Sequence, residues 1–96
     1  MNNSNSIKLV FDKTITRLAG YPYGEEIYEK QVKDHIDIQK PCTIYFPKNI
    51  ESIASSFVQG FFSQIIDIIG FQGIEDNISI VSSSEELSEE ILKMLI

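Results

Sequence analysis

Thr43-Ile44-Tyr45-Phe46 and, a short loop later, Ile53-Ala54-Ser55-Ser56-Phe57-Val58-Gln59-Gly60 decide the fold of this chain. The first segment is β-branched and aromatic, the composition of a strand. The second opens an apolar stretch with helical spacing that runs to Gly70, a residue suited to end a helix. A strand thus leads to a paired serine, with Ser56 at the mouth of a helix. A helix N-terminus carries partial positive charge and favours anions. A serine there can cap the helix, or carry a phosphate that the helix end tolerates. This layout points to a small switchable binding domain more than to an enzyme.

Two readings of the serine pair are compatible. Ser56 with Gln59 three residues later fits a capping box. Ser56 is also the candidate for phosphorylation, and the pair is a candidate partner contact. The helix predicted for about residues 56–69 adds a second signal. At about 100° per residue, Phe57, Val58, Phe61, Phe62, Ile65, Ile66, Ile68 and Ile69 fill roughly half its circumference. A surface helix needs an apolar face only somewhat wider than about 100°. Phe57, Phe61 and Ile68 lie along one flank of this arc. Either neighbouring helices cover that flank, or it serves a partner or a second copy.

Upstream, residues 1–5 read as a disordered tail. Ile7-Lys8-Leu9-Val10-Phe11 and Thr14-Ile15-Thr16-Arg17-Leu18 are β-prone and flank Asp12-Lys13. A hairpin is expected, with one continuous bent strand as the alternative. Ala19 to Gly24 reads as a loop with two glycines, a proline and two tyrosines. Tyr21 and Tyr23 are its anchors or a recognition surface. Glu25 and Glu26 open a helix to about Ile36, with Ile27, Tyr28, Val32 and Ile36 as its apolar stripe.

Asp37 to Pro41 connects to the strand at 42–46, and Pro47-Lys48-Asn49 ends it. Downstream, Phe71 to Asn77 reads as a turn-rich connector, and Ile78-Ser79-Ile80-Val81 as a strand. Ser83-x-x-Glu86 fits a capping box. It opens a last helix with Leu87, Ile91, Met94 and Leu95 at helical spacing. The order β-β-α-β-α-β-α predicts one layered α/β domain over residues 6–96, with helices packed on a mixed sheet.

Ninety-six residues suffice for one domain with one core. The net charge of −6, with Arg17 as the single arginine and the lysines scattered, argues against a nucleic-acid or anionic-membrane binder. No apolar run reaches about 18 residues, so no membrane span is expected. Cys42 is the single cysteine, so no internal disulfide forms, and a reducing cytoplasm is the expected setting. His35 and Cys42 read as a helix-end histidine and a core cysteine, since a nucleophile pair or metal site needs more partners. Glu85, Glu86, Glu89 and Glu90 read as a solvated helix face. No catalytic residue, metal site or cofactor is expected.

The serine region also resembles a known family. Thr43-Ile44-Tyr45-Phe46 followed by Ile53-Ala54-Ser55-Ser56-Phe57-Val58-Gln59-Gly60-Phe61-Phe62 is similar to the strand–loop–helix of the STAS-like domain family of unknown function. Tyr23-Gly24-Glu25-Glu26-Ile27-Tyr28 looks like the Ser-Gly-Glu-Glu-Phe segment that opens that family's first helix. More distant relatives are the anti-sigma factor antagonists, with the signature Asp-Ser-Ser-Gly-Leu-Gly. Their second serine is phosphorylated by a GHKL-type kinase that is also the anti-sigma factor. Ser56 falls on that serine, while Ala54 replaces the aspartate and Phe57 the first glycine. The resemblance implies a STAS-like fold, a protein partner such as a GHKL-type ATPase or kinase, and Ser56 as the modified residue. The expected partner surface is Ser55, Ser56, Phe57, Gln59 and Phe61, with Tyr21 and Tyr23. A homodimer through the apolar flank is the further alternative.

Overall fold

Residues 5–95 are described by a computed structural model. Its centre is β3, Cys42–Tyr45, which alternates as its sequence requires: Cys42 and Ile44 are buried, Thr43 and Tyr45 half-buried. β3 lies between β1, Ser6–Lys8, and β5, Ile78–Val81, and pairs in parallel with both. Ser6 stands opposite Thr43, and Cys42 opposite Ile78. A second, two-stranded parallel ladder joins β2, Arg17–Leu18, to β4, Ser52–Ile53. The helices are α1, Tyr21–Ile27, α2, Ser55–Asn77, and α3, Glu85–Lys93. The α/β class is as expected, but every pairing among the described residues is parallel, not mixed, and β4 is an additional strand.

The expected hairpin does not form. Asp12-Lys13 lacks the glycine that a primed turn needs. Asp12 Oδ1 instead accepts from the Thr14 backbone N–H at 2.9 Å and from its hydroxyl at 2.8 Å, turning the chain locally. These two bonds also hold the Asp12 carboxyl below its usual pKa, the backbone bond contributing most. The Gln31 side chain takes the place of a partner strand at Val10. Its amide donates to the Val10 carbonyl and its oxygen accepts from the Val10 N–H, each at 2.8 Å. Of the tail expected over 1–5, residues 1–4 lie outside the described residues. Asn5 itself is tied down, donating to the carbonyls of Asp37 and Pro41 and accepting from the Asp37 N–H.

α1 starts at Tyr21, four residues before the expected position. Pro22 suits a first turn, because its missing N–H would have no helical partner there. Gly20 precedes it at φ 104°, a conformation that favours glycine. Beyond Ile27 the helix widens into a π turn, Tyr28–Val32, closed by the Lys33 N–H on the Tyr28 carbonyl at 2.9 Å. The stripe is as read: Ile27, Tyr28 and Val32 are buried, and Ile36 half-buried.

α2 breaks at Gly70, as its sequence predicts, with φ 70° and ψ 175°. The segment after it is helical, however, not a turn-rich connector. Ile74 packs into the core there at 3% exposure, and the Ile78 N–H closes the end on the Ile74 carbonyl. By length and composition alone α2 would pass for a membrane span, as core helices also do. Here Phe57, Phe61, Phe62 and Ile65 are fully buried with Ile44 and Ile78 in one cluster. α3 is capped one residue later than expected. Ser84, not Ser83, accepts from the Leu87 N–H at 3.1 Å.

The tightest packing joins α1 to α2. A Cβ on Gly60 would overlap the Tyr21 carbonyl, and one on Gly24 the Phe57 carbonyl. Only glycine lets these backbones touch. Gly60→Ala should therefore lower stability by about 1–3 kcal/mol in chemical denaturation, although alanine is the better helix former by about 1 kcal/mol. An unchanged or raised midpoint would show that the helices can move apart. Phe62→Ala should cost about 3–5 kcal/mol in the same assay, as for other buried aromatics.

Candidate functional site

The β2–β4 ladder delivers two helices side by side. β2 leads within two residues to α1, and β4 leads through Ala54 to α2. The Ala54 N–H donates to the Leu18 carbonyl at 2.8 Å, extending the ladder to the helix start. The two helix N-termini, at Tyr21-Pro22 and at Ser55-Ser56, are therefore neighbours.

Ser56 links them, and it does so in a way the sequence did not suggest. The residue at the N-cap position is Ala54, which has no side-chain hydrogen bond to give. Ser55 and Ser56 are the first and second helical residues. The Ser56 hydroxyl accepts from the Gly20 backbone N–H at 3.0 Å, across 36 residues. The expected capping box of Ser56 with Gln59 is thus corrected. The serine does not satisfy its own helix but fastens the start of α1 to the start of α2. Gly20 is the functional neighbour that sequence reasoning missed. Its signal was the Gly20-Tyr21-Pro22 triplet, which reads equally as a loop or as a helix start.

The seven predicted site residues divide by exposure. Ser55, Ser56 and Gln59 are exposed, and Tyr21 is 43% exposed. Tyr23 is half-buried, its ring edge-on to Phe57 at 5.5 Å and to Phe11 at 6.3 Å. Phe57 and Phe61 are fully buried. Phe57 and Phe61 stack on each other at 5.8 Å, and Tyr28 and Phe46 close over Phe61. Of the two readings of the Phe57–Phe61–Ile68 flank, the covered one holds for Phe57 and Phe61, which corrects their place on the expected partner surface. The chain's own aromatics cover its first two members, and Ile68 alone stays exposed, at 52%. What remains outside is a polar rim on an aromatic support. Tyr21 and Gln59 also border a hollow of about 400 Å³ that reaches Phe71 and Leu95.

Cys42 and His35, each the single residue of its kind, lie apart from the rim in character. Cys42 is buried in β3, and burial, with a lesser push from Asp37, raises its thiol pKa. His35 is exposed after the π turn. Burial likewise raises the Tyr28 hydroxyl, with smaller contributions from Glu29 and Asp34. Among the described residues no three His, Cys, Asp or Glu side chains gather as a metal site.

Parallel strands, of which β2, β4 and β5 lead directly into helices, with a paired serine at the start of α2, make an α/β domain of the STAS kind. The chain belongs to the STAS-like domain family of unknown function (DUF4325), whose family model matches residues 23–87. That span includes the serine pair, α2, α1 from Tyr23 onward, and both Gly24 and Gly60, while Gly20 and Tyr21 precede it. A comparison with curated proteins gave no match, and neither did one with solved structures.

Two measurements follow from this geometry. Ser56→Ala should cost about 0.5–1.5 kcal/mol, through the lost cross-link to Gly20. Hydrogen exchange at the Gly20 amide should quicken, while the amides at the start of α2 stay unchanged. The reverse pattern would restore the capping reading. Cys42 should resist alkylation at neutral pH in the folded protein and react once urea exposes it, since the thiolate is the reactive form.

Proposed function

We propose that this STAS-like domain is a protein-binding regulatory module whose contact surface is the rim of Tyr21, Ser55, Ser56 and Gln59. One observation carries the reading. Two helix starts are held together by the Ser56–Gly20 bond. Phe57 and Phe61 lie buried beneath them, and the polar side chains are left outside. A partner would meet a preorganised surface and order little of it on binding, which lowers the cost of association. A binding role fits this rim better than a catalytic one, because no side chain on it has a base to activate it. The cytoplasm is the setting we infer, where the single thiol stays reduced.

A second reading deepens the first, with Ser56 as a phosphorylation switch. The residue is exposed, and the bulk of Phe57 is turned into the core, away from an approaching kinase. A phosphate on Ser56 would sit at the positive end of α2, close to the Gly20 N–H. The fold would survive, while the rim would change from neutral to doubly negative. Through the family resemblance, a GHKL-type ATPase is the partner to try first. A homodimer through Phe57 and Phe61 has no exposed ring to use.

Calorimetric titration of a GHKL-type ATPase from the same genome tests both readings. Gln59→Arg and Tyr21→Ala should each weaken binding at least about tenfold, as central contacts do, without shifting the denaturation midpoint appreciably. Ser56→Asp should keep the fold and weaken binding strongly, whereas Ser56→Ala, which loses the tether but adds no charge, should weaken it less. Equal binding by Ser56→Asp would reduce the serine to a structural link. A mass increase of one phosphate after incubation with ATP and that ATPase, absent in Ser56→Ala, would identify the switch directly.

A further inference from the structure

The open edge of the three-stranded sheet is a second place where this chain can take a partner. The strand order β1-β3-β5 leaves β5 paired on one side only among the described residues. The Val81 carbonyl accepts from the Phe46 N–H at 2.8 Å, so Val81 faces β3. In a parallel ladder the backbone groups of successive residues point to opposite sides. Ile80 therefore turns its N–H and carbonyl toward the open edge. Ile78 does the same, and its N–H is already held by the Ile74 carbonyl at the end of α2. An unpaired row of this kind is a template for another strand.

The two edges of the sheet differ. β1 is three residues long and carries Lys8, whose ammonium lies 5.9 Å from the centre of the Tyr45 ring. A short edge with a lysine is a protected edge. β5 is Ile78-Ser79-Ile80-Val81, with no charge and no proline, and Val81 is 42% exposed. Beside it runs a groove of about 550 Å³. Its floor is residues 78–82, and its wall is the face of α3 that carries Glu85, Ser88, Glu89 and Leu92. The Ser88 hydroxyl is already shared with Ser82 at 2.7 Å. The charges that border the groove are the carboxylates of Glu85 and Glu89, and no lysine or arginine lines it.

From these observations we infer that β5 and α3 form a docking groove for an extended, basic segment of a partner protein, added as a further strand beside Ile80. Main-chain bonds to Ile80 would supply the affinity, and lysine or arginine side chains of the segment would meet Glu85 and Glu89. A second copy of this chain is the poorer occupant. It would set like carboxylates against each other, and each chain already carries a net charge of −6. None of the rim residues takes part, so this groove and the rim succeed or fail separately.

The test is an amide NMR titration of the isotope-labelled protein at physiological salt. The probe is a short capped peptide of alternating Lys and Val, and the control alternates Glu and Val. Expected are saturable shifts at residues 78–82 and along α3, with exchange of the Ile80 amide slowed at least about tenfold by the new bond. Glu89→Lys should weaken the Lys/Val peptide at least about fivefold and improve the Glu/Val peptide. That variant gains an i, i+4 partner in Glu85, so α3 should persist. Val81→Lys, on exposed sheet surface, should weaken the Lys/Val peptide by like-charge repulsion whatever becomes of the helix variant. The inference is overturned if no shift saturates at millimolar peptide. Shifts spread over all acidic surfaces alike would also overturn it. So would β5 shifts that follow protein concentration without peptide, which would give the edge to a second copy.

Discussion

The close approach of α1 and α2 at Gly24 and Gly60 is the constraint on which the rest depends. Each glycine faces the backbone of the other helix, with no room for a β-carbon. Such proximity fixes how the two helices cross. It also draws Phe57 and Phe61 under α1, where Tyr23, Tyr28 and Phe46 enclose them. The packing is worth more than the helix propensity that two glycines give up, because fully burying an aromatic side chain contributes about 1.5–3 kcal/mol. The rim is a by-product of the same contact. With the rings taken inward, Tyr21, Ser55, Ser56 and Gln59 are what α1 and α2 can present outward.

The serine link follows from where the chain's polar groups find themselves. Gly20 lies just before α1, and its backbone N–H needs an acceptor. The parallel β2–β4 ladder brings Ser56 within reach of it. A hydroxyl at the second position of α2 no longer has the geometry of a cap, which belongs to the residue before the helix. Ser56 is thereby a tether between two helices in the free domain. The same atom is the one a phosphate would occupy. Under the proposed phosphorylation reading, a modification there would act on the tether and on the exposed rim together.

Much of this fold was legible in the chain because local rules carry it. The alternation in β3, the stop at Gly70, and the stripe of Ile27, Tyr28 and Val32 depend on residues near one another. The same holds for the family resemblance around Ser55-Ser56-Phe57, and for the serine pair at a helix start. Boundaries were less legible. Three consecutive serines, Ser82 to Ser84, offer equal caps, and only the direction of α3 selects Ser84. Gly20-Tyr21-Pro22 suits a loop or a first turn equally, and the contact with Gly60 decides for the helix.

What tertiary structure alone decided has a common physical cause: partners distant in sequence. β2 and β4 are two residues long, too short for any period, and exist because the intervening residues 19–51 return one beside the other. The expected hairpin failed for the same reason, since β1 and β2 each found a distant parallel partner. The segment 71–77 is helical because Ile74 has a core to enter. An apolar arc wider than one face left open whether the chain itself or a partner covers the flank of α2. Only the glycine contact, which no local pattern encodes, made Phe57 and Phe61 core and left the serines outside.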